Sequence, residues 1–326
     1  MVDTEDLLQL PDEAEHHRLR LKLSGIPYRP LAPPTDHHLV LHGMRFHYVE
    51  WGDRSARPIL FLHGGGQTCR TWDVVCHELS QHYRCIALDQ RGHGDSEWSY
   101  ELDYRIEAYA ADTAALIETL NLAPVVIVGM SLGGLNGLHY TLQRPETVSG
   151  IVAVDVGPWV NEEAVSPIRE FMHEVTTLDH LEQFIATAHR FNPCRDVRLL
   201  RRSLWHNLRR CPDGRLMWKT DSRRLDERHA IVAAGIGILR ERIADLRCPA
   251  LVIRGGESRI LSEENARRFA EAVPRGRWLE IPGAGHSVQG DQPKALIEAL
   301  RPFLDELVIS GASASGGEVC RLNSGH

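Results

Sequence analysis

The chain has 326 residues, 43% hydrophobic and 25% charged, which excludes a disordered or fibrous polymer and allows one large α/β domain with an insertion or two ordinary domains. Lys and Arg total 37 against 44 Asp and Glu, so the basic footprint of a nucleic-acid binder is missing. The longest apolar runs, such as residues 125–128 and 231–238, fall well short of the ~18–20 residues of a membrane span, and no membrane partner is expected.

The start, Met1 to Asp6, is acidic where a secretory leader is basic and then apolar, which predicts a cytoplasmic, soluble protein. Leu7, Leu8, Leu10, Leu19, Leu21 and Leu23 among charges predict an amphipathic helix over 3–23, stopped by Pro27, Pro30, Pro33 and Pro34. His38 to Trp51 reads as two short strands about His42-Gly43, and Pro58 to Leu62 as a buried strand. A strand over 84–88 leads to a helix over 106–120, a strand over 125–128 to a helix over 132–143, and a strand over 151–154 follows. From 157 to 247 the alternation breaks into a helical pattern without an apolar strand run, read as an inserted cap. A strand over 249–253, a helix over 263–273, a strand over 277–281 and a helix over 293–307 complete the series, and the Gly-Ala-Ser run from Ser310 reads as a flexible tail. Apolar strands separated by helices predict a parallel sheet covered on both faces, with reactive groups gathered at the carboxyl ends of its strands.

Cys69, Cys76, Cys85, Cys194, Cys211, Cys248 and Cys320 form no Cys-x-x-Cys pair, the pattern of reduced, mostly buried thiols rather than a zinc or redox site. His16-His17 and His37-His38 read as solvated, because no cysteine or carboxylate cluster completes a metal set. Residues 190–228 hold twelve Arg or Lys against five Asp or Glu, either a solvated outer face of the cap or a basic rim that steers anionic substrates or forms a partner surface. Trp159, Phe171, Phe191, Trp205, Met217 and Trp218 of the cap read as core, with a subset available to wall an apolar pocket.

One pattern carries chemistry. Gly129-Met130-Ser131-Leu132-Gly133 lies between a strand and a helix, the setting in which a Gly-x-Ser-x-Gly turn lifts a serine hydroxyl into the open at a helix N-terminus. The N–H of Leu132 can then donate to a developing oxyanion. His63-Gly64-Gly65-Gly66 follows the 58–62 strand; its glycines let a peptide N–H, that of Gly65, face the site, while His63 reads as structural. His286, in Gly283-Ala284-Gly285-His286 after the last strand, is placed to serve as the general base for Ser131.

With Trp72, the run Asp89-Gln90-Arg91-Gly92-His93-Gly94-Asp95-Ser96 and Asp155-Val156-Gly157-Pro158 added, the chain resembles the α/β-hydrolase superfamily over about residues 38–308. The resemblance implies an α/β fold with a mostly parallel sheet, helices on both faces and an inserted helical cap. The expected parts are an N-terminal arm and proline-rich linker (1–36), a core (37–156 and 248–309), the cap (157–247) and the tail (310–326). Asp89, Arg91, His93 and Asp95 are expected to hold their loop together by hydrogen bonds. The chain departs from the family at the acid: Arg259 aligns with its commonest position, and a cation cannot stabilise an imidazolium. Asp155, at the end of the 151–154 strand, and Glu257, two positions before Arg259, are the two carboxylates available. Asp155 is favoured because a strand end is rigid.

The resulting expectation is a serine hydrolase that cleaves a small, largely apolar carboxylic ester or lactone through an acyl-enzyme on Ser131, without cofactor or metal. Homo-oligomerisation through the arm is possible. A serine at the elbow argues against the carboxylate chemistry of haloalkane dehalogenases and epoxide hydrolases. The alternatives are a carbon–carbon bond hydrolase of ring-cleavage diketones, for which a basic cap would suit an anionic substrate, and a non-catalytic hydrolase-fold binding protein, suggested by Arg259.

Overall fold

The computed structural model describes residues 13–161, 177–178, 181–191, 195–223 and 225–315. The chain enters through α1 (Glu13–Leu23), which buries Leu21 against the core and pairs Arg20 with Asp73 at 3.1 Å. The expectation for His17 is corrected here. Its ring packs against Trp51 and His77, and burial lowers its pKa to about 4, so it is a neutral packing group rather than a solvated one. His37 is likewise engaged, stacked on Tyr48 and 3.1 Å from Glu50.

The hairpin of β1 (Thr35–Leu41) and β2 (Met44–Trp51) turns at His42-Gly43 as expected. After β3 (Arg57–Leu62) comes α2 (Asp73–Leu79), a buried helix the periodicity did not disclose because apolar and polar residues alternate too briefly in it. β4 (Tyr83–Leu88), α3 (Ile106–Thr119), β5 (Val125–Met130), α4 (Leu132–Gln143) and β6 (Val148–Val154) follow.

Between β6 and the next core strand the expectation of helices alone is corrected. The helices α5 (Leu181–Phe191) and α6 (Val197–Asn207) share this stretch with a three-stranded antiparallel sheet, β7 (Thr177–Leu178), β8 (Leu208–Arg210) and β9 (Leu216–Trp218), and α7 (Leu225–Arg242) closes it. Strands of two or three residues leave no apolar run to read. The local cue was the turn Cys211-Pro212-Asp213-Gly214, which joins β8 to β9 with Cys211 N–H donating to Arg215 O at 2.7 Å. Phe184, Leu200, Leu204 and Trp218 make a small separate core under this layer. Phe171 lies outside the described residues.

The chain returns as β10 (Ala250–Gly255), α8 (Glu263–Ala272), β11 (Gly276–Ile281), the short α9 (Val288–Asp291) and α10 (Pro293–Ser315). The last helix runs six residues into the expected tail, because adding a turn to an existing helix is cheap and Ala312 and Ala314 favour it. Residues 316–326 lie outside the described part.

The main sheet has the order β1-β2-β4-β3-β5-β6-β10-β11, antiparallel at β1-β2 and β2-β4 and parallel thereafter. Successive residues of β3 feed opposite faces: Leu60 and Leu62 pack with Ile127 and Leu138, while Ile59 and Phe61 pack with Trp72, Val128 and Leu300. Two buried faces explain why the strand sequences are apolar throughout. The described cysteines, Cys69, Cys76, Cys85, Cys211 and Cys248, are unpaired. No described helix is long and apolar enough to cross a membrane.

Candidate active site

β5 ends at Met130, and the chain turns at Ser131 into α4 with φ 50° and ψ −119°. A side chain in that region of backbone space is strained. The turn fits only because positions 129 and 133 carry no side chains: a Cβ at 129 would come within 2.5 Å of Gly133 O, and one at 133 within 2.3 Å of Leu62 O. Ser131 N–H donates to Val154 O at 3.2 Å, which pins the turn to the end of β6. Leu132 opens α4, so its N–H has no intrahelical acceptor.

The residue after Val154 is Asp155, also at positive φ (49°) and fully buried. Its carboxylate accepts from His286 Nδ1 at 2.7 Å, Ser258 Oγ at 2.5 Å and Gly255 N–H at 3.0 Å, and its own N–H donates to Ile253 O at 2.7 Å. Ser258 Oγ in turn accepts from Ile260 N–H at 3.1 Å, so its proton is committed to Asp155. The end of β10 and the loop after it therefore supply hydrogen-bond donors to an acid that directly follows β6. Glu257 and Arg259 on the same loop are exposed, and the Glu257 N–H donates to Ala284 O at 2.8 Å. Among the described residues no hydrogen bond joins Ser131 Oγ to His286.

The glycine loop folds over the serine. A Cβ at Gly64 would lie 3.3 Å from the Ser131 Cβ, and the position of Gly65 opens on free space. Gly64 N–H is taken by Gln67 Oε1 at 3.3 Å, and Gln67 Nε2 reaches Ser287 Oγ at 3.2 Å, so one side chain straps the glycine loop to the histidine loop. Gln289 joins the strap through Gln67 and Thr71. His63 is buried, with Nδ1 donating to Gly64 O at 2.8 Å and Nε2 accepting from Gln90 N–H at 3.1 Å; burial lowers its pKa, which keeps it neutral.

Beside this site Asp89 accepts from Cys69 N–H at 2.7 Å, Asp95 N–H at 2.9 Å and His47 Nδ1 at 2.7 Å. His93 Nδ1 bonds Arg91 O at 2.9 Å within the loop, as expected, whereas the Arg91 side chain ties the loop to α3 by forking onto Asp112. Asp95 reaches out to Lys219 at 2.7 Å. His47, Cys69 and Asp89 bring ligand atoms within 4.8 Å of one another. That geometry is spent on hydrogen bonding: the ring nitrogen is bonded to Asp89, and burial pushes the Cys69 thiol far above its ordinary range, against the thiolate a metal needs.

Several described cations of the basic cap segment pair with carboxylates, three of them within the segment and the others with acids outside it. Arg195 meets Asp291, Arg198 meets Asp196, Arg201 meets Glu182, Arg215 meets Asp213, and Arg223 meets Asp221. Arg209 lies over the Trp98 ring at 4.5 Å. Ser258, Gln67, His47 and Asp291 were not foreseen as parts of the site. The one available signal was Arg259 in the usual place of an acid, which left that loop without its expected task.

Comparison with known proteins gives a consistent picture. A family model described as alpha/beta hydrolase fold matches residues 57–293. The chain is 31% identical over 264 residues to esterase Rv0045c of Mycobacterium tuberculosis, covering 79% of this chain and 85% of that protein. The crystal structure of that esterase superposes with a TM-score of 0.74 at 28% identity, covering 91% of this chain and 99% of the other. A 2-(acetamidomethylene)succinate hydrolase of Mesorhizobium japonicum is 27% identical over 78% of this chain and 90% of its own length.

Proposed function

The chain belongs to the α/β-hydrolase fold family, and from that premise we propose that it is an ester hydrolase that works through an acyl-enzyme on Ser131. In this reading Ser131 Oγ attacks the carbonyl carbon of a carboxylic ester or lactone and passes its proton to His286 Nε2. The Gly65 and Leu132 N–H groups hold the oxyanion. Collapse breaks the acyl–oxygen bond, and His286 returns the proton to the departing alkoxide. A water molecule, deprotonated by the same imidazole, then frees the acid and restores the serine. Asp155 fixes the ring through Nδ1 and stabilises the imidazolium.

The observation that carries the reading is the 2.7 Å bond from His286 to a buried Asp155, one residue from the carbonyl that holds the Ser131 turn. The esterase relative supports the ester as substrate class. Pairing of Arg195, Arg198, Arg201, Arg215, Lys219 and Arg223 with carboxylates weakens the particular reason for an anionic diketone, so no second reaction is argued.

A serine-directed fluorophosphonate provides the test. The intact protein should gain one adduct, mapped to Ser131 by mass spectrometry, and Ser131→Ala should gain none while losing hydrolysis of a short aryl ester. Folded wild-type protein that neither reacts nor hydrolyses a panel of aryl esters, lactones and diketones would overturn this reading and favour a silent binding protein.

A further inference from the structure

We propose that Arg195, a residue of the cap, is a positioning residue for His286 and acts through Asp291. The inference rests on the reading of His286 as the general base. Arg195 lies two residues before α6 and turns inward, with only 12% of its side chain accessible. Its Nε and Nη2 both donate to Asp291 Oδ1, at 3.0 and 2.7 Å. The other oxygen, Oδ2, accepts from Gly285 N–H at 3.0 Å.

That N–H belongs to the peptide between Ala284 and Gly285, whose carbonyl oxygen is already bonded by Glu257 N–H at 2.8 Å. Both ends of one peptide plane are therefore fixed, one from the core and one from the cap, with only Gly285 between that plane and the residue that must aim its imidazole. Asp155 holds the ring, but a ring hydrogen bond leaves the backbone free to swing about it; clamping the peptide one residue upstream narrows that freedom. Arg195 supplies the counter-charge that keeps Asp291 in this pose.

The contact is built rather than incidental. Arg195 lies across α9, where a Cβ at Gly290 would come within 2.3 Å of its Nη2. At the far end of α6, Asn207 Nδ2 donates to Gly66 O at 3.1 Å. The stretch from Arg195 through α6 thus grips the histidine loop just before the helix begins and the glycine loop at the helix's last residue. One cation of the basic segment is thereby assigned to the catalytic machinery instead of to a solvated rim.

Arg195→Ala and Asp291→Asn should each lower kcat for a short aryl ester about tenfold, with KM changed less than twofold, and the double variant should be no worse than either alone. Arg195→Lys, which keeps the charge but not the two-pronged donor, should recover part of the loss. Gly290→Ala, which displaces the guanidinium without touching Asp291, should reproduce the kcat defect in a protein of normal melting temperature. A purely structural contact would lower the melting temperature and leave kcat per folded molecule unchanged. Wild-type kcat in Arg195→Ala, beside an inactive Asp155→Asn, would overturn this inference alone. Retained activity in Asp155→Asn would instead bring down the reading of His286 and the inference with it.

Discussion

Asp89 and Asp155 each follow a strand of the main sheet, β4 and β6, and each bonds the Nδ1 of a histidine at 2.7 Å. The rings differ on their far sides. His47 Nε2 is taken by Asp36 at 2.9 Å, and the residue is 3% exposed. Burial alone would lower its pKa, but the hydrogen bonds and charges of the two carboxylates outweigh burial and raise it to about 9. At neutral pH it is a fixed cation. No described group bonds His286 Nε2, and a fifth of that side chain is accessible. A carboxylate at a strand end orients an imidazole; a second carboxylate turns it into a structural charge, and its absence leaves a nitrogen that can take and return a proton.

If that contrast is sound, the two aspartates fail in different measurements. Asp155→Asn should lower kcat by at least ~100-fold, the scale on which loss of a triad carboxylate acts, because the wrong tautomer of His286 would face Ser131. Asp89→Asn should act on stability, by on the order of 3 kcal/mol in urea unfolding, because it strips one partner from a buried cation. An Asp89→Asn variant as stable as wild type, or an Asp155→Asn variant with unchanged kcat, would break the comparison.

A pH series sharpens it. The folded-state pKa of His47, about 9, lies above the ordinary 6.5, so the stability it contributes is complete below about 6.5 and fades as pH rises through about 9. Asp36 works in the opposite sense: the His47 hydrogen bond, aided by Arg70 and opposed by burial, lowers its pKa to about 2, and its contribution is lost only as pH falls toward that value. Urea midpoints should therefore fall between pH 7 and pH 9.5 in wild type and fall less in His47→Gln. Parallel slopes would show that the ring is not protonated in the folded state.

What the sequence disclosed was whatever is written in consecutive residues. Ser131 with its glycines, the loop after β3 and the histidine after β11 could be read because a tight turn demands particular neighbours. The cap strands could not, because two or three residues carry no periodicity. His47 was silent for another reason: its role comes from Asp36 and Asp89, eleven and 42 positions away, and nothing local marks a histidine that topology will place between two acids. Ser258 was equally hidden, since a serine in a loop bears no sign of the carboxylate it will meet across the sheet edge.

The smallest expected effect tests the remaining choice of acid. Glu257 shares a loop with Ser258, and its side chain points to solvent. What it gives the site is its backbone N–H on Ala284 O, and Glu257→Gln leaves that bond in place. Only one exposed charge is removed, whose influence water and salt screen, so kcat should stay within about twofold of wild type. A loss approaching that of Asp155→Asn would mean that the loop swings in during catalysis and delivers the carboxylate from the family's more usual strand. The Ser258 bond to Asp155 opposes that swing, because the loop would have to surrender that donor and leave a buried carboxylate with fewer partners.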